Sequence, residues 1–213
     1  MLLLFVAVIG LGACAPEGAP SGGPGPTVQP GELVCPDRQP PPLAATIAPR
    51  VTIATTMGVV EVDVDAAEAP IAAANFVALA GCGFYDGLVF HRIVPGFIIQ
   101  GGDPTGTGKG GAGYAITDEP QRGVYERGVV ALSRTAAANS QSSQFFIVLS
   151  DEAGRALSVT NNYAIVGRVI SGMDVVDEIA AGPNGGPPLN KAGDPVVMLT
   201  VTVDPMARLS LGP

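Results

Sequence analysis

The 213-residue chain has no tryptophan, a single histidine (His91), three cysteines, and eleven lysines and arginines against nineteen aspartates and glutamates. Each shortage removes a class of chemistry. A zinc site or a histidine-based catalytic triad needs partners at set spacing, and one isolated histidine supplies none. Serine and cysteine hydrolase readings therefore lack their base, and His91 reads as a structural strand residue. The net charge of −8 and sequence pI near 4.5 leave no basic patch to neutralise phosphates, so no nucleic-acid partner is expected. No internal repeat is present. The apolar run at residues 1–13 (MLLLFVAVIGLGA) is too short for a comfortable membrane span.

Apolar residues make up 47%, and glycine (29) and proline (20) are both abundant, a composition suited to many short strands and turns. The length allows one domain with a real core plus a tail. Residues 1–13 have the length of a signal-peptide core, although no Lys or Arg precedes the run. Residues 11–14 (LGAC) resemble a bacterial lipobox, which implies lipidation of Cys14; an ordinary cleaved signal peptide is the alternative. Residues 14–49, rich in Pro, Gly, Ala and Ser, cannot bury enough apolar surface to offset chain entropy and read as a flexible tether. The folded domain is expected over residues 50–205, with a C-terminal tail at 206–213. If Cys14 is lipidated, Cys35 and Cys82 remain as a pair free to form a disulfide in an exported protein.

Strand patterns follow in order. VTIATT (51–56) and GVVEVDVD (58–65) flank a Met57-Gly58 turn, and the second alternates Val60/Val62/Val64 against Val59/Glu61/Asp63. Pro70 opens a helix stopped by Gly81 and Gly83. Further strands are expected at 129–133, 144–149, 163–170 and 195–204, and a second helix at about 172–181. The segment 150–162 reads as a loop. Gly106-Thr107-Gly108-Lys109-Gly110-Gly111 matches the dinucleotide pattern G-x-G-x-x-G, but it runs into Tyr114 to Pro120, which is no helix, and no βαβ unit follows. A tight turn is the better reading.

The central stretch, residues 90–111 (FHRIVPGFIIQGGDPTGTGKGG), holds two short apolar strands broken by Pro95-Gly96. Alternation puts Phe97, Ile99 and Gly101 on one face and Ile98 and Gln100 on the other. Arg92 and Gln100 stand out, because long polar side chains rarely occur inside such runs.

With SQFFIVLS at 143–150 and YAIVGRV at 163–169, this stretch resembles the cyclophilin family of peptidyl-prolyl isomerases, over roughly residues 50–204. The resemblance implies a mainly β fold: a closed eight-stranded antiparallel barrel capped by two α-helices. It implies a monomer that isomerises X–Pro bonds of unfolded exported proteins and other proline-containing peptides, with no cofactor and no metal. A non-catalytic proline-peptide binding or chaperone module with the same groove is the rival reading. Carried over position by position, Arg92, Phe97 and Gln100 would be catalytic. Ile98, Gly108, Arg134, Thr135, Ala136, Gln144, Phe146 and Tyr163 would bind substrate, with Leu157 or Val159 completing the apolar wall. Arg134 and Thr135 depart from the common Met-Ala-Asn-Ala segment, and Tyr163 stands where many members have histidine. No tryptophan is available where many members carry Trp-Leu, so only weak cyclosporin binding is expected. The location implied is extracytoplasmic, held at the membrane through the N-terminal lipid or released as a secreted or periplasmic protein.

Overall fold

A computed structural model describes residues 34–160 and 162–204. The expected signal segment, Cys14 and the C-terminal tail lie outside the described residues. Among these residues eight strands form one antiparallel sheet: β1 (Arg50–Thr55), β2 (Gly58–Val64), β3 (Arg92–Val94), β4 (Ile98–Gly101), β5 (Val129–Leu132), β6 (Phe145–Val148), β7 (Ile165–Ser171) and β8 (Met198–Asp204). Their order is β3-β4-β6-β5-β7-β2-β1-β8.

The sheet is an open half-barrel, which corrects the closed barrel of the sequence reading. β3 and β8 are edges that share no ladder. Among the described residues, the segments flanking them meet at an isolated Val89–Val197 bridge, with Gly87 N–H donating to Met198 O at 2.7 Å, Phe90 N–H to Val196 O at 3.0 Å and Met198 N–H to Leu88 O at 2.8 Å. The free side of β3 is covered by the 184–192 loop: Ile93 N–H donates to Asn190 O and Ala192 N–H to His91 O, both at 3.0 Å. A covered edge offers no template for another chain.

Among the described residues three helices pack on the sheet, one more than expected: α1 (Pro70–Gly81), α2 (Asp151–Thr160) and α3 (Met173–Ala180). α1 starts at Pro70 as its missing N–H allows, and the next two amides, Ile71 and Ala72, donate to the Glu119 carboxylate at 2.9 and 2.8 Å. α1 buries Phe76 and Leu79, and α3 buries Val176 and Ile179, in the same large cluster as Val60, Val62, Phe145 and Ile147.

The apolar runs of β5 and β6 have a simple cause, because both faces are covered. Val130, Leu132, Phe145 and Ile147 enter the large cluster, while the alternate residues Val129, Ala131, Phe146 and Val148 enter a second one with Ala153 and Leu157 of α2. Thus α2 roofs the outer face of the sheet. Its start is fixed by Ser150, whose hydroxyl accepts the Ala153 N–H at 3.1 Å, with Asp151 and Glu152 in the first turn where the helix dipole favours them. Gly154 permits the close approach, since a Cβ there would overlap the Tyr125 carbonyl.

Residues 34–49, read from sequence as the end of a flexible tether, run along the domain. Cys35 is disulfide-bonded to Cys82 just beyond α1, and Leu43 N–H donates to Pro70 O at 3.1 Å while its side chain packs on the core. Covalent and core contacts replace the hydrophobic burial that this Pro-rich segment lacks.

Candidate active site

Strand register builds the site. Arg92 on β3 pairs with Gln100 on β4, Gln100 with Phe146 on β6, and Phe146 with Ala131 on β5. Directly paired residues present their side chains on one face, so these four form a row across the outer surface. Ile98, two residues before Gln100, falls on the same face. Phe97 joins them although alternation assigned it to the other face, because it belongs to the turn before β4, where its N–H donates to Val94 O at 2.9 Å.

These residues line a cavity of about 290 Å³ bounded by Arg92, Phe97, Ile98, Gln100, Phe146, Leu157 and Tyr163. Ser133, Arg134, Ala156 and Thr160 complete it. α2 provides the wall that the sequence left open. Leu157 is 6% exposed and faces the cavity, whereas Val159 is 86% exposed and points to solvent, so the assignment of Val159 is corrected. Ala156 and Thr160 were missed because 150–162 read as a loop. Positions 153, 156, 157 and 160 fall on one helical face, and that spacing was the available signal.

A relay of side-chain bonds orients Arg92. Its Nη1 donates to Gln100 Oε1 at 3.1 Å, Gln100 Nε2 donates to Gln144 Oε1 at 2.8 Å, and Gln144 Nε2 donates to Gly110 O at 2.8 Å. Among the described residues this is the only side-chain bond of the guanidinium, so its remaining N–H groups are available to a ligand. Burial lowers the Arg92 pKa from its ordinary value, offset in part by the neighbouring Tyr163 phenol. The group keeps its charge at neutral pH.

Tyr163 stands edge-on to Phe146, with ring centroids 5.2 Å apart and planes at 90°. Its backbone is locked by the Tyr125 hydroxyl, which donates to Tyr163 O at 2.7 Å and accepts the Tyr163 N–H at 2.9 Å. Burial is the main cause that pushes the Tyr125 hydroxyl up to about 12, so it stays a neutral donor. Tyr125 was not singled out from the sequence.

A second pocket of about 600 Å³, lined in part by Gln144, shares Gln100, Ser133 and Arg134 with the first. Gly108, Tyr114, Ala115, Thr135 and Ser142 also line it. Arg134 borders both cavities, tied to Asp118 at 3.2 Å and to Ala137 O at 2.9 Å. Ala136, next to Thr135, is exposed and lines neither cavity.

The glycine-rich loop is wound around Asp103, which is 1% exposed. Its carboxylate accepts the Thr105 N–H (2.8 Å), the Thr105 hydroxyl (2.9 Å), the Thr107 N–H (3.1 Å) and the Gly108 N–H (2.6 Å). Burial alone would raise its pKa. Hydrogen bonds from Thr105, Gly110 and Gly108 outweigh that and bring it down to about 2. Gly110 must be glycine, since a Cβ would collide with this carboxylate. The loop is thus an anion-centred turn and not a phosphate cradle. His91, buried nearby, has its pKa lowered by burial above all. Among the described residues no group of three or more His, Cys, Asp or Glu side chains could hold a metal ion.

The site is thus an oriented guanidinium beside an apolar cup on the outer face of an eight-stranded sheet. Residues 50–203 match the family described as Cyclophilin type peptidyl-prolyl cis-trans isomerase/CLD. The chain belongs to this family of peptidyl-prolyl cis-trans isomerases and catalyses the cis-trans interconversion of X–Pro bonds. It is 34% identical over 168 residues to peptidyl-prolyl cis-trans isomerase A of Dickeya dadantii, covering 76% of this chain and 88% of that protein. A peptidyl-prolyl cis-trans isomerase of Acinetobacter baylyi is 37% identical over 158 residues, covering 72% and 84%. The crystal structure of a Cryptosporidium parvum cyclophilin in the presence of the dipeptide Ala-Pro superposes with a TM-score of 0.65 at 32% identity, covering 72% of this chain and 98% of that one.

Proposed function

We propose that Arg92 is the catalytic group and that the protein works outside the cytoplasm, lipid-anchored through Cys14, on proline-containing segments of exported proteins. The observation that carries the chemistry is the half-buried Arg92, oriented by Gln100 at the rim of an apolar cavity.

An X–Pro bond isomerises slowly because twisting the amide breaks its resonance. The twist leaves the prolyl nitrogen pyramidal with a localised lone pair. A guanidinium N–H aimed at that nitrogen stabilises the twisted amide and gains little from the planar one, which is the requirement for catalysis. Phe97, Ile98, Phe146, Leu157 and Tyr163 hold the proline ring in an apolar cup, and Gln100 keeps the guanidinium in line. Moving the rate from ~0.01 s⁻¹ into the usual range of enzymes asks for roughly 3–7 kcal/mol, within reach of one charge-assisted hydrogen bond plus orientation. The remainder of the peptide would extend into the 600 Å³ pocket past Gln144 and Arg134.

Two features support the cellular setting: the lipobox-like residues 11–14 and the Cys35–Cys82 disulfide, a bond suited to an oxidising compartment. Cys14→Ser should move the protein from the membrane fraction to the soluble exported one, and unchanged fractionation with unchanged intact mass would refute the anchor. A protease-coupled isomerisation assay tests the activity directly; a rate equal to the uncatalysed one would overturn it.

A further inference from the structure

Between Cys35 and Leu43 the chain is a strap pinned at both ends. The Cys35–Cys82 disulfide holds one end beside the C-terminus of α1, and the Leu43 N–H on Pro70 O holds the other at its N-terminus. Four of the seven residues at 36–42 are proline, so their φ angles are fixed and they have no amide donor. The strap is therefore stiff. Its Asp37–Arg38 ion pair is fully solvated, with side chains 81% and 84% exposed, and contributes little.

One side chain of the strap reaches across. Gln39 Oε1 accepts the backbone N–H of Thr117 at 2.8 Å. Thr117 lies two residues after Ala115 and three after Tyr114, both lining the 600 Å³ pocket. On its other side is Asp118, whose carboxylate accepts the Asn139 N–H at 2.8 Å and pairs with Arg134, the residue shared by both cavities. Asp37 also lies near Tyr114 and, after burial, adds to the raising of its phenolic pKa. The strap therefore meets the back of the loop whose front forms the pocket wall.

We propose that the disulfide-pinned strap is a positioning device for the 600 Å³ pocket, with Gln39 fixing the 114–118 segment so that its wall is preformed for peptide residues flanking the proline. This rests on the isomerase reading for the identity of the ligand, an extended proline-containing peptide. Gln39 touches no substrate and acts through Thr117 and Asp118. A wall ordered in advance is worth affinity, because the peptide need not order it on binding.

The test uses the full chain, labelled with ¹⁵N, and two probes: the dipeptide Ala-Pro, which has no further residues to extend into the 600 Å³ pocket, and a doubly capped Ala-Ala-Pro-Phe. Gln39→Ala should weaken the tetrapeptide Kd roughly three- to tenfold and change the dipeptide Kd by less than about twofold, the scale of one neutral hydrogen bond. Gln39→Glu keeps an acceptor for Thr117 and should restore tetrapeptide binding. Reducing the wild-type disulfide with dithiothreitol should reproduce the selective loss, a check independent of the folding of any variant. In the isomerisation assay, KM for the tetrapeptide should rise with kcat unchanged. Equal losses for both peptides, or none for either, would overturn the proposal. Selective binding without isomerisation would leave the strap assignment standing and refute the catalytic reading instead.

Discussion

Replacing Asp103 with asparagine should destabilise the protein in a pH-dependent way that can be worked out from its four hydrogen bonds. Oδ1 accepts from the Thr105 N–H and hydroxyl, and Oδ2 from the Thr107 and Gly108 N–H groups. An asparagine NH₂ in place of either oxygen faces donors and strands at least one buried N–H, at about 1–3 kcal/mol per unsatisfied group. The variant should therefore be less stable by about 2–4 kcal/mol at pH 7. For a domain of this size that lowers Tm by roughly 5–15 °C. The folded carboxyl has its pKa depressed to about 2, while in the unfolded chain it is ordinary at about 3.9. Its contribution is thus complete above about pH 5 and is lost as pH falls through the folded value, because the unfolded chain takes up the proton first. Urea unfolding of both proteins from pH 7 to 2 should give a stability difference that shrinks by about 2 kcal/mol across that window. A difference that stays constant with pH, or stays below ~1 kcal/mol throughout, would refute the assignment of this carboxylate as the anchor of the 103–110 loop.

Other expectations follow from single contacts. Removing both Cys35 and Cys82 opens a loop of 47 residues and should lower stability by up to about 4 kcal/mol on the chain-entropy view, read out by urea midpoint; an unchanged midpoint would contradict it. Gly154→Ala should displace α2 from the Tyr125 carbonyl, costing about 1–3 kcal/mol and raising KM through the lost Leu157 wall, whereas a gain in stability from helix propensity alone would show that α2 has room. Cyclosporin should inhibit only weakly, at micromolar concentration or above, since no indole lines the groove; nanomolar inhibition would show a compensating contact.

How much of this was legible in the sequence depended on whether a residue's role was local. Alternation in 58–65 and the apolar runs at 129–133 and 144–149 located strands, because burial on one or both faces writes itself directly into the pattern. The row Arg92, Gln100 and Phe146 was accessible only through the family resemblance: the short turn at 95–97 sets the Arg92–Gln100 register, but Phe146 comes from a strand distant in sequence. α2 was not read as a helix. Its interior glycine and terminal Val159-Thr160 argue against helix, and the features that outweigh them are the Ser150 cap and packing on Phe146 and Ile165 from other strands. The same miss placed Val159 on the wall instead of Leu157 alone. Barrel closure was equally invisible, since it depends on whether two chain-distant edges form a ladder or a single bridge. The strap depends on Gln39 meeting Thr117, 78 positions away, which no local pattern encodes.

Whether Arg92 stabilises the twisted amide is read from Arg92→Ala when isomerisation, peptide affinity and Tm are measured together. In that variant kcat/KM should fall by about two to three orders of magnitude, equivalent to roughly 3–4 kcal/mol, while peptide affinity and Tm change far less. Arg92→Lys should rescue poorly, because an ammonium lacks the planar fork of donors. A folded Arg92→Ala protein with near-normal kcat/KM, or one that loses activity and stability in step, would contradict it.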